Sequence, residues 1–120
     1  MRGKTENARF STLAIRAGFD PSHHREHSEA IYTTSSFTFD TAEQAAEVFS
    51  GDEPGNVYSR YTNPSVRVFE ERLAALEGGE DAVATASGMS AILALCLSVM
   101  RSGDHVVCSR DVFGSSLGLF

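Results

Sequence analysis

Tyr58 and Arg60 stand two residues apart in Tyr58-Ser59-Arg60-Tyr61-Thr62-Asn63-Pro64. A phenol hydroxyl beside a planar guanidinium can clamp a phosphate, because the guanidinium fork presents parallel, charge-assisted donors. Further on, Ala84-Thr85-Ala86-Ser87-Gly88-Met89 reads as a strand, a turn and a helix start. A glycine at such a junction lets backbone N–H groups approach an anion, and the helix dipole favours negative charge there. Each signal alone also has a plainer reading. Many such turns carry glycine only for tight geometry, Tyr58 fits a surface ring, and Arg60 fits a surface ion pair. Phe113 follows the second expected strand. A ring beyond the C-terminal end of a parallel strand lies where α/β ligands bind, so it can stack on a flat ligand or simply fill the core.

Other polar clusters are less specific. His23, His24 and His27 form His-His-x-x-His with no cysteine nearby, in a loop with Pro21, Ser22, Arg25 and Glu26. We read this as a solvated loop and expect no metal site. Glu70-Glu71 and Glu80-Asp81 read as solvated charges, and adjacent residues do not share a helix face. Neither the dinucleotide G-x-G-x-x-G nor the P-loop pattern is present. The only lysine is Lys4.

These residues need elements to hold them. Residues 1–11 are polar and read as loose, and Thr12 to Ala17 as a short helix closed by Gly18. Glu29 to Phe39 is β-prone in composition, lacks turn signals, and is expected to be extended. Asp40-Thr41 caps a helix through Phe49 that stops at Gly51. Asp52 to Asn56 is a loop. Asn63-Pro64 is a cap followed by proline at the first helical position. That helix runs to about Glu77, with Val66, Phe69, Leu73 and Leu76 on one face, and ends at Gly78-Gly79. Ala82 to Ala86 and His105 to Cys108 are expected strands. Ser90 to Met100, apolar nearly all round, is expected to be a buried helix between them. Strand, crossover helix and strand make a βαβ unit and imply a parallel sheet.

The composition excludes several classes. The 120 residues have a net charge of −6, with 42% hydrophobic and 22% charged residues, ordinary for a folded domain. The sequence pI near 5.1 opposes nucleic-acid binding, and no basic run grips a membrane. The longest apolar run, Ala91 to Met100, is too short to span a bilayer. Met1 to Asn7 is followed by polar residues rather than an apolar stretch, so no signal peptide is expected. Cys96 and Cys108 read as reduced, buried thiols of a cytoplasmic protein. A parallel strand needs cover on both faces, and one βαβ unit with three preceding helices supplies too little. An apolar helix is expected to begin at Leu117-Gly118-Leu119-Phe120. The chain therefore reads as the N-terminal piece of a longer protein.

Taken in order, Tyr58-Ser59-Arg60, Asn63-Pro64, Leu76-Glu77-Gly78-Gly79, Ala86-Ser87-Gly88-Met89, Gly103-Asp104-His105-Val106-Val107 and Phe113-Gly114-Ser115 form a distinctive series. Over residues 9–120 the chain resembles the Cys/Met-metabolism family of trans-sulfuration enzymes, which use pyridoxal 5′-phosphate (PLP). The resemblance implies an α/β fold, the N-terminal part of a fold-type I PLP-dependent transferase. Residues 1–62 would form an extended N-terminal arm with the inter-subunit clamp. Residues 63–120 would begin the parallel-sheet large domain.

It also implies a homotetramer built from close dimers, with Tyr58 and Arg60 binding the PLP phosphate of a neighbouring subunit. Gly88 and Met89 would bind the phosphate of their own subunit, and Phe113 would stack on the ring. Most family members carry tyrosine at that ring position, so Phe113 argues against a mechanism needing the hydroxyl. Phe-Gly-Ser is similar to the sulfhydrylase branch that acts on O-succinylhomoserine. The implied reaction is γ-replacement, in which sulfide displaces the acyl group of O-succinylhomoserine or another O-acylhomoserine and gives homocysteine. Cystathionine γ-synthase, γ-lyase or methionine γ-lyase activity is the alternative within the family. The Schiff-base lysine lies beyond the matched stretch, Lys4 is no candidate, and no catalytic residue is expected in the chain. The isolated chain is expected to be inert. A non-enzymatic phosphate-binding βαβ module and a degenerate gene product are the readings outside the family.

Overall fold

The structure, a computed structural model, describes residues 7–120. Lys4 and the start of the polar N-terminal stretch lie outside the described residues. The element order is α1 (Phe10–Arg16), α2 (Ala42–Ser50), α3 (Pro64–Glu77), α4 (Gly88–Val99) and α5 (Gly114–Leu117). The contacts divide the chain into two compact units between Val83 and Ala84. The sequence reading puts a boundary at residues 62 and 63. In the structure α3 instead belongs with the segments that precede it, because it packs on α1.

In the first unit, α1 starts at Phe10, two residues before the expected Thr12, and lies against α3 around buried Ala17, Phe19 and Ala74. Close approach depends on Gly18. Its φ is 73°, and a Cβ there would sit 2.8 Å from the Val68 carbonyl oxygen and 2.9 Å from the Glu71 Cβ. Glycine alone reaches this conformation without steric cost. The contact is then tied by polar groups. Arg72 Nε donates to the Ala17 carbonyl at 3.0 Å, and Arg72 also pairs with Glu29. Arg16 Nη1 donates to the His27 carbonyl at 2.9 Å. Arg16 thus ties the His loop to α1 at His27, and no metal-holding cluster occurs among the described residues.

The helix boundaries follow their capping chemistry. Thr41 Oγ1 accepts from Gln44 N at the start of α2, and Asn63 Oδ1 accepts from Ser65 N at the start of α3. Gly78 closes α3 in the left-handed region. In the second unit, Ser87 caps α4 in a reciprocal capping box with Ser90. That box starts the helix at Gly88, earlier than the expected Ser90. Phe113 is the N-cap of α5 without a side-chain cap, and α5 ends at Leu117, where the sequence reading expects a helix to begin.

Three expectations fail. Ala82 to Ala86 and His105 to Cys108 form no strand, and the only β pairing among the described residues is an isolated antiparallel bridge, Ser36 to Tyr58. A strand exists only with a partner for its backbone groups, and these segments find none. Val83 and Val107 are 82% and 90% exposed. Second, α4 contains no buried residue, although its composition is that of a core helix. Leu95, Leu97 and Val99 stand open because nothing in the unit packs over them. Third, the cysteines are free, but Cys96 is half-buried and Cys108 is exposed. They lie on the same uncovered helix and segment. No helix among the described residues is long and apolar enough to cross a membrane.

Candidate functional site

The candidate residues fall into two groups, one in each unit. In the first unit, Tyr58 and Arg60 sit on a tight turn. The Tyr58 carbonyl accepts from Tyr61 N at 2.9 Å and Thr62 N at 3.1 Å. The turn is pinned to the preceding arm on its other side. Phe37 N donates to the Val57 carbonyl at 3.3 Å, and Ser59 N to the Ser35 carbonyl at 2.9 Å.

The Arg60 guanidinium lies over two rings, 4.9 Å from the centroid of Tyr58 and 5.1 Å from that of Tyr61. Hydrogen bonding to the Tyr61 phenol, and secondarily the proximity of Tyr58, raises the Arg60 pKa above its ordinary value. Its charge is therefore permanent at any working pH. Arg60 is exposed, and among the described residues no carboxylate forms an ion pair with it. The plainer reading of Arg60 as a surface ion-pair partner thus finds no carboxylate. Among the described residues, the arginines that do make such pairs are Arg67 and Arg72.

In the second unit, Gly88 and Met89 are the first two residues of the twelve-residue helix α4. The first residues of a helix have N–H groups with no intrahelical acceptor. Here the first intrahelical donor is Ala91, to the Ser87 carbonyl at 3.1 Å, and the Ser87 hydroxyl takes up the N–H of Ser90. The N–H groups of Gly88 and Met89 remain as donors at the positive end of the helix dipole. A Cβ on Gly88 would meet no atom within 4 Å, so the space beside it is open.

Met89 is held from the side by Ser116, whose buried hydroxyl contacts the Met89 sulfur at 3.8 Å. That contact joins α5 to the start of α4 and places Phe113 one residue before a helix that touches the candidate phosphate cradle. Phe113 is 72% exposed, so its ring is free to stack rather than part of a core.

Sequence reasoning missed how the first group is held. Asn63 reads as a helix cap alone, yet its Nδ2 also donates to the Tyr32 carbonyl at 3.1 Å and to Ser59 Oγ at 2.8 Å. Tyr61 was likewise unassigned. The run Tyr32-Thr33-Thr34-Ser35-Ser36 carries no turn signal, and nothing in its composition tells that its carbonyls serve a loop far along the chain.

A capped helix start with free N–H donors and an exposed arginine are groups suited to a phosphate-bearing ligand. The chain belongs to the Cys/Met metabolism PLP-dependent enzyme family, whose pattern it matches over residues 11–120. It is 65% identical to the O-succinylhomoserine sulfhydrylase of Pseudomonas aeruginosa over 96% of this chain and 28% of that protein. It is 40% identical to the L-methionine gamma-lyase of Pseudomonas putida, over 95% of this chain and 29% of that protein.

Among solved structures it superposes with a TM-score of 0.87 on the Campylobacter jejuni protein assigned as an O-acetylhomoserine (thiol)-lyase, at 35% identity. That match covers 94% of this chain and 28% of the other, which carries N′-pyridoxyl-lysine-5′-monophosphate. It also superposes on metB from Corynebacterium glutamicum, with a TM-score of 0.83 and 30% identity over 94% of this chain and 28% of that one. The chain thus spans under a third of the length of the relatives it matches. The cofactor of the family is PLP. The groups present fit its phosphate: two helix-terminal N–H donors in open space, and an arginine with no carboxylate in ion-pair contact among the described residues.

Proposed function

We propose that this chain supplies the cofactor-phosphate contacts of an enzyme that replaces the acyl group of O-succinylhomoserine, or another O-acylhomoserine, with sulfide to give homocysteine. The observation that carries the reading is the 65% identity to an O-succinylhomoserine sulfhydrylase across nearly all of this chain. Phe113 agrees with it, since a phenylalanine can stack on a flat ring and cannot move a proton.

When bound, PLP supplies an electron sink for charge developing on the substrate carbon. The chain's own residues bind and orient. Gly88 and Met89 N–H groups hold the phosphate at the start of α4. Arg60 and Tyr58 add a bidentate charge-assisted contact and a hydroxyl to the phosphate of a neighbouring subunit's cofactor, in a cytoplasmic homotetramer of close dimers. Phe113 covers one face of the ring. Proton transfer falls to a lysine outside the matched stretch.

The test uses the full-length oligomer carrying this sequence. Homocysteine formation from sulfide is expected to be fastest with O-succinylhomoserine. The 120 residues alone, given PLP, are expected to show no turnover above free PLP. Faster release of methanethiol from methionine than homocysteine formation from any O-acylhomoserine would make the protein a lyase instead.

A further inference from the structure

We infer that Asn63 is a positioning residue for the phosphate clamp, acting through a polar brace that fixes the Tyr58–Arg60 turn to the arm at Ala30–Ser36. The inference rests on the clamp role proposed above for Tyr58 and Arg60. Asn63 is 7% exposed and uses its whole side chain. Its Oδ1 accepts from Ser65 N at 2.9 Å, and its two Nδ2 hydrogens go to the Tyr32 carbonyl and Ser59 Oγ. The amide orientation follows from these partners, because a backbone N–H demands the oxygen and a carbonyl demands the nitrogen.

Ser59, the residue between the two clamp residues, passes the constraint on. Its hydroxyl donates to the Thr34 carbonyl, and its N–H to the Ser35 carbonyl. Ser65 closes the brace from the helix side. Its hydroxyl accepts from Tyr32 N at 2.8 Å and reaches the Ala30 carbonyl at 3.3 Å. The direction in which Tyr58 and Arg60 leave the turn is therefore set by these hydrogen bonds, several of them part-buried, rather than by the clamp side chains themselves. An exposed arginine has many rotamers, and fixing the backbone beneath it lowers the entropy lost when it grips an anion.

A helix cap alone would not need an amide. Aspartate caps as well as asparagine, but it cannot donate to Tyr32 or Ser59. Asn63→Asp thus separates the two roles.

In the full-length oligomer, Asn63→Asp is expected to weaken PLP binding roughly tenfold, because two part-buried hydrogen bonds are lost. Binding of pyridoxal, which lacks the phosphate, is expected to change less than about twofold. Amide exchange at Tyr61 and Thr62 without cofactor should quicken, while α3 keeps its protection. Ser59→Ala leaves the cap untouched and should shift the same ratio in the same direction. It carries the test if Asn63→Asp does not fold.

Equal losses for PLP and pyridoxal, or no loss for either, would overturn the positioning role. Arg60→Ala run in parallel keeps the two ideas apart. If it leaves the preference for PLP over pyridoxal unchanged, the clamp reading itself is wrong. If it lowers that preference while Asn63→Asp and Ser59→Ala do not, only the positioning role is lost.

Discussion

The two units hold their candidate phosphate groups by different means. In the first, side chains reach across long stretches of sequence. Arg72 ties α3 to Ala17 and Glu29, and Asn63 and Ser65 tie the start of α3 to the arm. In the second, the side-chain hydrogen bonds among the described residues are local, such as Ser87 with Ser90 and Arg101 with Asp104, apart from the contact of Ser116 with Met89. The clamp is fixed by tertiary contacts, whereas the cradle at Gly88 and Met89 needs only a capped helix. A helix N-terminus makes its own anion site. A guanidinium on a loop has no such intrinsic direction and must be given one.

The largest break in this comparison is expected at Gly18. Gly18→Ala forces a side chain into the left-handed region and against the Val68 carbonyl and Glu71, at about 2–4 kcal/mol. Urea unfolding of the protein should show the loss. Faster amide exchange should be confined to α1 and α3, with α4 unchanged. Equal loosening in both units would mean that they are not held independently.

A smaller effect is expected from Ser87→Ala, which removes the capping box of α4 and costs about 1 kcal/mol. Exchange should quicken in the first turn of α4 and leave the Tyr58–Thr62 turn unaffected.

The smallest effect is in acid. Hydrogen bonding from Arg72 holds the Glu29 carboxyl below its ordinary value of 4.5. A depressed carboxyl contributes stability that is present above the unfolded value and lost as pH falls through the folded one. The first unit should therefore loosen as pH drops below 4.5, and Glu29→Gln should flatten that step. The pair is partly exposed, so high salt should shrink the effect. An acid step of the same size in Glu29→Gln would assign it to another group.

The helices were legible because their signals are local. Thr41 and Asn63 each accept from a backbone N–H within the next three residues, as the sequence reading expects, whereas Ser87, read as part of a turn, caps α4 as well. The family was legible through the order of the motifs along the chain, and the family match over residues 11–120 bears that resemblance out. The strands were not realised. Ala82 to Ala86 and His105 to Cys108 have strand composition, but composition does not provide a partner for the backbone. The burial of α4 failed for a related reason, since an apolar surface is covered only if something packs on it.

The amino-acid sequence by itself determined where α2 and α3 are capped, the approximate place of α1 and α4, and the spacing of Tyr58 and Arg60, all of which depend on neighbours within a few residues. It also carried enough pattern to set the family. Tertiary structure alone decided that Arg60 rests on Tyr58 and Tyr61, and that Asn63 is a brace as well as a cap. It also decided that Gly18 is where α1 meets α3. The Asn63 brace and the Gly18 contact join residues that are distant along the chain, which only the folded backbone brings together, and the rings beside Arg60, though near in sequence, are placed by a turn pinned to that distant arm.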